Sequence, residues 1–583
     1  MMGERSPQDT LFGADHLFLE YVGRDTVYGY LAQHRPQLFR DADFAVLYCQ
    51  HNGRPSVPPS VGVSILFLRA YEGVSFVEAI ERTKYDLRWK VALGLELEQV
   101  PMQKSALQEL EAKLVLHEQG EALLKQSIDE ARRAGYVKSR KIRVALDTTP
   151  MLGKGAVKDT YNLLADGITQ LAIRLAAVAS EPIDRWAEHE GLQRYFGSSL
   201  KGAAAIEWDD PAQRDQLLTA IVHDGRRLLS LAEQAQQAHP DQADAIHAAA
   251  ALLERLIRQD VDEKPGGACE VKDGTAKDRV ISVHDPEMRH GRKSASHRFN
   301  GHKAAVAVEM ESQLICGVDV LAGNAGDQQN ALALVHQAER VMDAHVEETV
   351  GDCAYGGGPT RKAFADEQRQ LTAKVPSSHN GACFPKGAFA IDLDRMDVRC
   401  PAEHTTTEFH ASGTQGGGRF VFAAATCQAC PLRSQCVRGH GGRTISIQPD
   451  ERLQQQARAH NQTEAGKQRL RERVVVEHGI ARLVRLGIRH SRYVGKTKSR
   501  FQVVMAAVVA NLSLVVAFCR RKSEPVIETT GDQGAKLPAN LLDEPPNGSR
   551  ATWISWISDR LMAPSPLWHS WQASLDFHGQ PFA

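Results

Sequence analysis

Cysteine is scarce in this chain: 10 in 583 residues, too few for a disulfide scaffold, so a reducing compartment is expected. An excess of charge of one sign is also missing. The 70 Lys and Arg balance 71 Asp and Glu, for a formal net charge of -1. That excludes a uniformly basic chain, while local patches still decide which polyions it can meet. No apolar stretch follows the opening MMGERSPQDT, so no secretory signal is expected. A clean membrane span is lacking too. The longest apolar run, FQVVMAAVVANLSLVVAFC (501–519), contains Gln502, Asn511 and Ser513 and is flanked by Lys498, Arg500, Arg520 and Arg521. A span needs about 20 clean apolar residues. The run therefore reads as a buried helix, with no membrane partner and a cytoplasmic location. What remains is ordinary globular composition, 42% apolar and 24% charged, with length for roughly four domain-sized units.

The periodicity divides the chain. Residues 1–135 read as helical. SVPPSVGVSILFLRAYEG (56–73) is a long apolar helix ending in glycine, and Ser75 with Glu78 forms a capping box for the next. DLRWKVALGL (86–95) stops near Gly94, and 98–135 is strongly helical. At 142 the period changes: IRVALDTTP alternates as a short strand, expected to break at Pro150. Residues 155–276 hold a helical insertion. Strands are expected at RVISVH (279–284), KAAVAVEM (303–310) and LICGVDVLA (314–322), a helix at 328–345, and strands at 347–352 and 370–377. Strands followed by strand–helix–strand argue an α/β core. Residues 378–448 are glycine-rich and hold five of the 10 cysteines. They read as too polar to bury a core of their own. From 449 the pattern is helical again, and 523–583 reads as loop or disordered, with one Trp-containing helix near 551–562.

Three carboxylates have unusual settings. Asp147 ends a strand before Thr148, Thr149 and Pro150, and Asp352 ends another before a glycine turn. Ligands collect at such C-terminal strand ends. In RLRERVVVEHGIARLVRLG (469–487), helical spacing places Glu477 on one face with Leu470, Val474, Ala481 and Val484. A carboxylate on an apolar face needs a partner, and converging carboxylates are relieved by a divalent cation. Taken singly, each has an ordinary reading: a turn or cap for the aspartates, a solvated or Arg-paired side chain for the glutamate.

Local charge is uneven. Residues 467–500 carry 11 Lys and Arg, among them Arg473, Arg482, Arg485, Arg489, Arg492, Lys496 and Lys498, against the two acids Glu472 and Glu477. Residues 277–303 carry seven Lys and Arg and four His against three acids. Such patches in a near-neutral chain point to a polyanion, and beside metal-type carboxylates to nucleic acid; a solvated helix face is the plainer alternative. Cys400, Cys427, Cys430 and Cys436, with a C-x2-C pair at 427–430, suit a closed tetrahedral zinc site. A redox pair or idle thiols are the other readings.

With those residues in view, the chain resembles the DDE transposases of bacterial insertion sequences. SVPPSVGVSILFLRAYEGVSFVEAIERTKYDLRWKVALGL (56–95) is similar to their InsH-like N-terminal helical domain. RVALDTTP (143–150) resembles the first catalytic Asp segment. VGDCAYGG (350–357) resembles the second, with Tyr355 three residues after its Asp. RERVVVEHGIARLVRLGIRHSRYVGKTKSRFQVVMAAVVANL (471–512) resembles the catalytic Glu helix and the final helix. The family's cysteine insertion matches 400–436.

The resemblance implies an RNase H-like core made of 136–154, 277–377 and 449–522. Around it stand a DNA-binding domain at 1–135, the helical insertion at 155–276 and a small four-cysteine zinc insertion at 378–448. Asp147, Asp352 and Glu477 would bind two Mg²⁺ (or Mn²⁺), while Zn²⁺ on the four cysteines would be structural. The implied reaction is strand cleavage and strand transfer at inverted-repeat DNA ends. A homodimer or higher oligomer on double-stranded DNA, associated with the nucleoid, would carry it out. Arg473 matches the family's arginine four residues before the Glu. Two positions depart: Leu470 replaces a tyrosine, and Val484, beside Arg485, replaces a basic residue. The rival expectations are a nuclease of the same fold and a zinc-stabilised DNA-binding protein with an inactive core.

Overall fold

The chain folds as mixed α/β. The computed structural model describes residues 1–3, 13–49, 55–294, 296–378, 380–412 and 416–523. The expected tail at 524–583, with its Trp-containing helix, lies outside the described residues. Short helices Ala14–Val22 and Val27–Leu38 precede α1 (Pro59–Glu72) and α2 (Phe76–Tyr85). Gly73 ends α1 in a left-handed conformation (φ 73°), and the Ser75 hydroxyl accepts from the Glu78 N–H at 3.1 Å. Leu87–Leu93 ends at Gly94, as its sequence indicates. The 98–135 stretch forms two helices, α3 (Lys104–Leu116) and α4 (Gly120–Arg133).

The centre is a twisted sheet of β1 (Lys141–Leu152), β2 (Arg298–Glu309), β3 (Ile315–Ala322), β4 (His345–Val350) and β5 (Gln370–Thr372). Spatial order is β3-β2-β1-β4-β5, with a short strand Arg289–Arg292 on the start of β2. β2 runs antiparallel to β1 and β3; β4 is parallel to β1, and β5 to β4. Between β1 and β2 the chain makes α5 (Thr160–Val178), α6 (Pro211–Ala238) and α7 (Ala243–Asp260), which bury an apolar cluster of their own. Helix α8 (Ala331–Met342) joins β3 to β4, and α9 (Gly358–Asp366) joins β4 to β5. After the cysteine-rich segment come α10 (Val474–Arg485) and α11 (Lys496–Ser523).

The N-terminal helices and the sheet share one hydrophobic core. α11 runs through it. This helix is long and apolar enough to cross a membrane, yet 72% of its apolar window is buried inside the protein. Its polar residue Asn511, 0% exposed, clamps the edge strand β3. The Asn511 Oδ1 accepts from the Ile315 N–H at 2.8 Å, and its Nδ2 donates to the Ile315 carbonyl at 2.9 Å and to Ser127 Oγ of α4 at 3.2 Å.

Three local expectations are corrected. β1 does not break at Pro150 but continues to Leu152. β4 pairs with β1 only as far as Ala145. On that open side the Leu152 N–H instead donates to the Arg489 carbonyl at 2.8 Å. Pro150, two residues earlier, faces the same side, so its missing N–H breaks no bond to β2. RVISVH (279–284) is not a strand. Its apolar residues Val280 and Val283 pack on the insertion, and Gln259 satisfies the Val280 N–H (2.9 Å) and carbonyl (3.0 Å) in place of a neighbouring strand. Finally, 378–448 does bury a small core: Phe389, Val398, Phe420, Phe422, Ile445 and Ile447 pack between two three-stranded sheets.

Candidate active site

Register places the first two carboxylates together. β1 and β4 are parallel, with Ala145 opposite Val350. Asp147 and Asp352 each stand two residues beyond that last pair, and neighbouring strands lie about 4.8 Å apart. Asp147 Oδ1 accepts from the Thr148 N–H at 2.7 Å. Asp352 caps the turn Cys353–Gly356, its Oδ1 accepting from the Ala354 N–H at 2.8 Å. Gly351 is required between β4 and that turn. A Cβ there would lie 2.8 Å from Tyr355 Cβ and Cγ.

α10 brings the third. Its buried stripe is Val476, Gly479 and Leu483. Gly479 allows the close approach, since a Cβ would lie 2.6 Å from Val308 Cγ2 on β2. This corrects the expected phase: Glu477 is not on an apolar face, and its side chain is 54% exposed. Apolar residues line more than one side of α10, and the side containing the glycine packs closest.

Arg473, at the N-terminal end of α10, joins the set. It donates from Nη1 to Asp147 Oδ2 at 3.0 Å and from Nη2 to Glu477 Oε1 at 2.6 Å. Burial pushes the Asp147 carboxyl above its ordinary value and the Asp352 charge adds to the rise, while the Thr148 N–H and the Arg473 guanidinium oppose it. Among the described residues, no three His, Cys, Asp or Glu side chains stand ready-made as a metal cage. The donor set nevertheless suits a hard divalent cation. It consists of carboxylate oxygens from β1, from the turn after β4 and from α10, and Arg473 bridges the first and the last of them.

Sequence reasoning missed two members of this edge. Asp327, in the turn before α8, accepts from Thr148 Oγ1 at 2.7 Å and from Lys303 Nζ at 2.8 Å, which ties that turn to β1 and β2. Lys303 also donates to the Ala325 carbonyl at 2.8 Å. The signal was an Asp in a Gly/Asn-rich turn after a strand, but its partners come from strands 24 and 179 residues away.

The basic residues of 467–500 divide. Arg485 and Lys498 are exposed. Arg489 donates to Thr149 Oγ1 at 3.1 Å and to the Pro150 carbonyl at 3.2 Å. Arg492 donates to the Gly73 carbonyl at 3.1 Å, and Lys496 lies 3.4 Å from Glu287. Arg482 turns inward to the Gln313 carbonyl, and burial pushes its guanidinium down.

Cys400, Cys427 and Cys436 pack against the small phenylalanine cluster. Burial raises the Cys436 thiol, Arg443 opposes the rise, and Cys427, Cys400 and Cys430 add to it; among the described residues the four do not stand as a ready-made metal cage.

The comparisons bear on both ends of this arrangement. Residues 399–516 match the family model described as Transposase DDE domain, a stretch that contains Glu477 and all four cysteines but neither Asp147 nor Asp352. Residues 18–111 match the one described as Transposase domain (DUF772). No curated protein and no solved structure matches the chain. The two family matches, in this order along one chain, support its likeness to the insertion-sequence DDE transposases.

Proposed function

We propose that this chain cuts and joins DNA at the inverted-repeat ends of an insertion sequence by divalent-cation-dependent phosphoryl transfer. The observation that carries the reading is the matched position of Asp147 and Asp352 on paired parallel strands, with Arg473 linking Asp147 to Glu477. The strand order β3-β2-β1-β4-β5, antiparallel then parallel, supports an RNase H-like core at 136–154, 277–377 and 449–522. Asp147, Asp352 and Glu477 would hold Mg²⁺ or Mn²⁺, which when bound activates water and stabilises charge on the scissile phosphate. Arg473 offers a forked donor matched to a phosphate. Double-stranded DNA would lie along the exposed basic residues, with the 1–135 helices reading the ends, in a homodimer or larger assembly at the nucleoid.

Purified protein, Mg²⁺ and DNA carrying one end test the reading. Asp352→Asn and Glu477→Gln should each lower strand cleavage by at least about 100-fold with DNA affinity within about twofold. Full cleavage by either variant removes the assignment. We further propose that Cys400, Cys427, Cys430 and Cys436 bind one structural Zn²⁺; the C-x2-C spacing of Cys427 and Cys430, with Cys400 and Cys436 packed on the same small core, supports it. Metal analysis under reducing conditions should find about one zinc per chain, lost in the Cys427→Ser, Cys430→Ser double variant. A zinc-free wild type ends that proposal.

A further inference from the structure

Tyr355 is 0% exposed, and its hydroxyl has no hydrogen-bond partner. A buried hydroxyl without a partner is destabilising, and phenylalanine would fill the same space without that penalty. The position of this hydroxyl gives it a use. Tyr355 sits in the turn opened by Asp352, and its N–H donates to the Asp352 carbonyl at 3.3 Å. Its ring presses against Gly351, at the end of β4. β4 is the direct parallel neighbour of β1, and Asp147 and Asp352 stand at matched positions across that pair. The phenol is held well above its ordinary value, by burial first and then by the charges of Asp147, Asp327 and Asp352. It is therefore a neutral, unpaired donor within the field of those three carboxylates.

Asp147 has two donors, the Thr148 N–H on Oδ1 and Arg473 on Oδ2. Arg473 is shared with Glu477, and a phosphate in the site competes for the same guanidinium. A carboxylate that loses that partner and turns to hold a cation needs another donor to fix its orientation.

We propose that Tyr355 is a positioning residue whose buried phenol donates to the Asp147 carboxylate when that carboxylate turns to hold a divalent cation. The inference rests on the reading of Asp147, Asp352 and Glu477 as a cation site. It assigns Tyr355 no contact with DNA, because a fully buried hydroxyl is out of reach of a phosphodiester.

The test measures Mn²⁺ binding to the full-length protein without DNA, by calorimetry, together with thermal unfolding of the metal-free protein. Tyr355→Phe should weaken Mn²⁺ binding about 10- to 100-fold while the unfolding midpoint stays or rises. Asp352→Asn, the control, should abolish binding. If Tyr355→Phe binds Mn²⁺ like the wild type while Asp352→Asn does not, this inference fails and the site reading stands. If the wild type takes up no Mn²⁺, both fail. If affinity and midpoint fall together in Tyr355→Phe, the tyrosine only packs, and the inference is again overturned.

Discussion

Asp147 shows the site's conflict at a single residue. A backbone N–H and a guanidinium both favour its charge, yet burial outweighs them and its carboxyl sits above the ordinary value. The sign follows from linkage. A carboxyl raised in the folded state contributes stability below its unfolded value, and that contribution is lost as pH rises through the folded value. Above the raised value the ionised Asp147 is therefore a cost to the fold. Asp147→Asn should raise the thermal midpoint at pH 7.5 by about 1–3 °C, with the gain shrinking as pH falls through the raised value, and should abolish cleavage. A midpoint that drops at pH 7.5 would show that the Arg473 link outweighs burial. Asp147 and Asp352 were legible in the sequence because each follows a short strand-like run beside turn-forming residues, although β1 in fact carries on past Asp147 to Leu152. Asp327 and the buried state of Tyr355 were not, since their settings come from strands brought together only by the fold.

Elements follow the same logic. Strand and helix types were legible where length and pattern agreed: β2 and β3 are short, nearly continuous apolar runs buried on both faces, and α8 has one apolar side. They failed where the local pattern allowed two answers. RVISVH has a strand's β-branched composition, but a glutamine side chain and the insertion's core take the place of a neighbouring strand. α10 has valines and leucines on several sides, and a close approach at Gly479, which periodicity cannot weigh, sets its phase. α11 is the reverse case. Asn511 stood out as a polar interruption in an apolar run, and its purpose needs the sheet: it satisfies both backbone groups of Ile315 on the edge strand and reaches Ser127 of α4. Asn511→Leu keeps the branched shape in a bulkier side chain and strands those groups. Each buried group left unpaired costs about 1–3 kcal/mol, so the variant should unfold at a midpoint lower by several degrees. A midpoint within about 1 °C of the wild type would show that β3 does not depend on this clamp.

At the scale of the whole molecule, a chain of net charge -1 can hold a polyanion only by segregating its charges. The basic stretch that follows the candidate site is partly structural. Arg482, Arg489 and Arg492 direct their guanidinia to backbone carbonyls, and Arg492 reaches Gly73, between α1 and α2. Arg69 of α1 likewise donates to the Tyr493 hydroxyl at 3.3 Å. These contacts lock the N-terminal helices against the loop joining α10 to α11, so a duplex engaging one would meet the other. Exposed residues of this stretch, among them Arg471, Arg485, Lys498 and Arg500, are then available for phosphates. Each phosphate contact contributes about 0.9 to the slope of log affinity against log salt. Arg485→Ala with Lys498→Ala should therefore flatten that slope by about 1.8, equally for specific and unrelated DNA, with no change in the unfolding midpoint. Arg489→Ala is the informative contrast. It removes the hold on Thr149 and Pro150, so it should lower the midpoint and disturb cleavage more than the salt slope. If the Arg485, Lys498 double variant keeps the wild-type slope, these two residues are a solvated face and the duplex runs elsewhere on the surface.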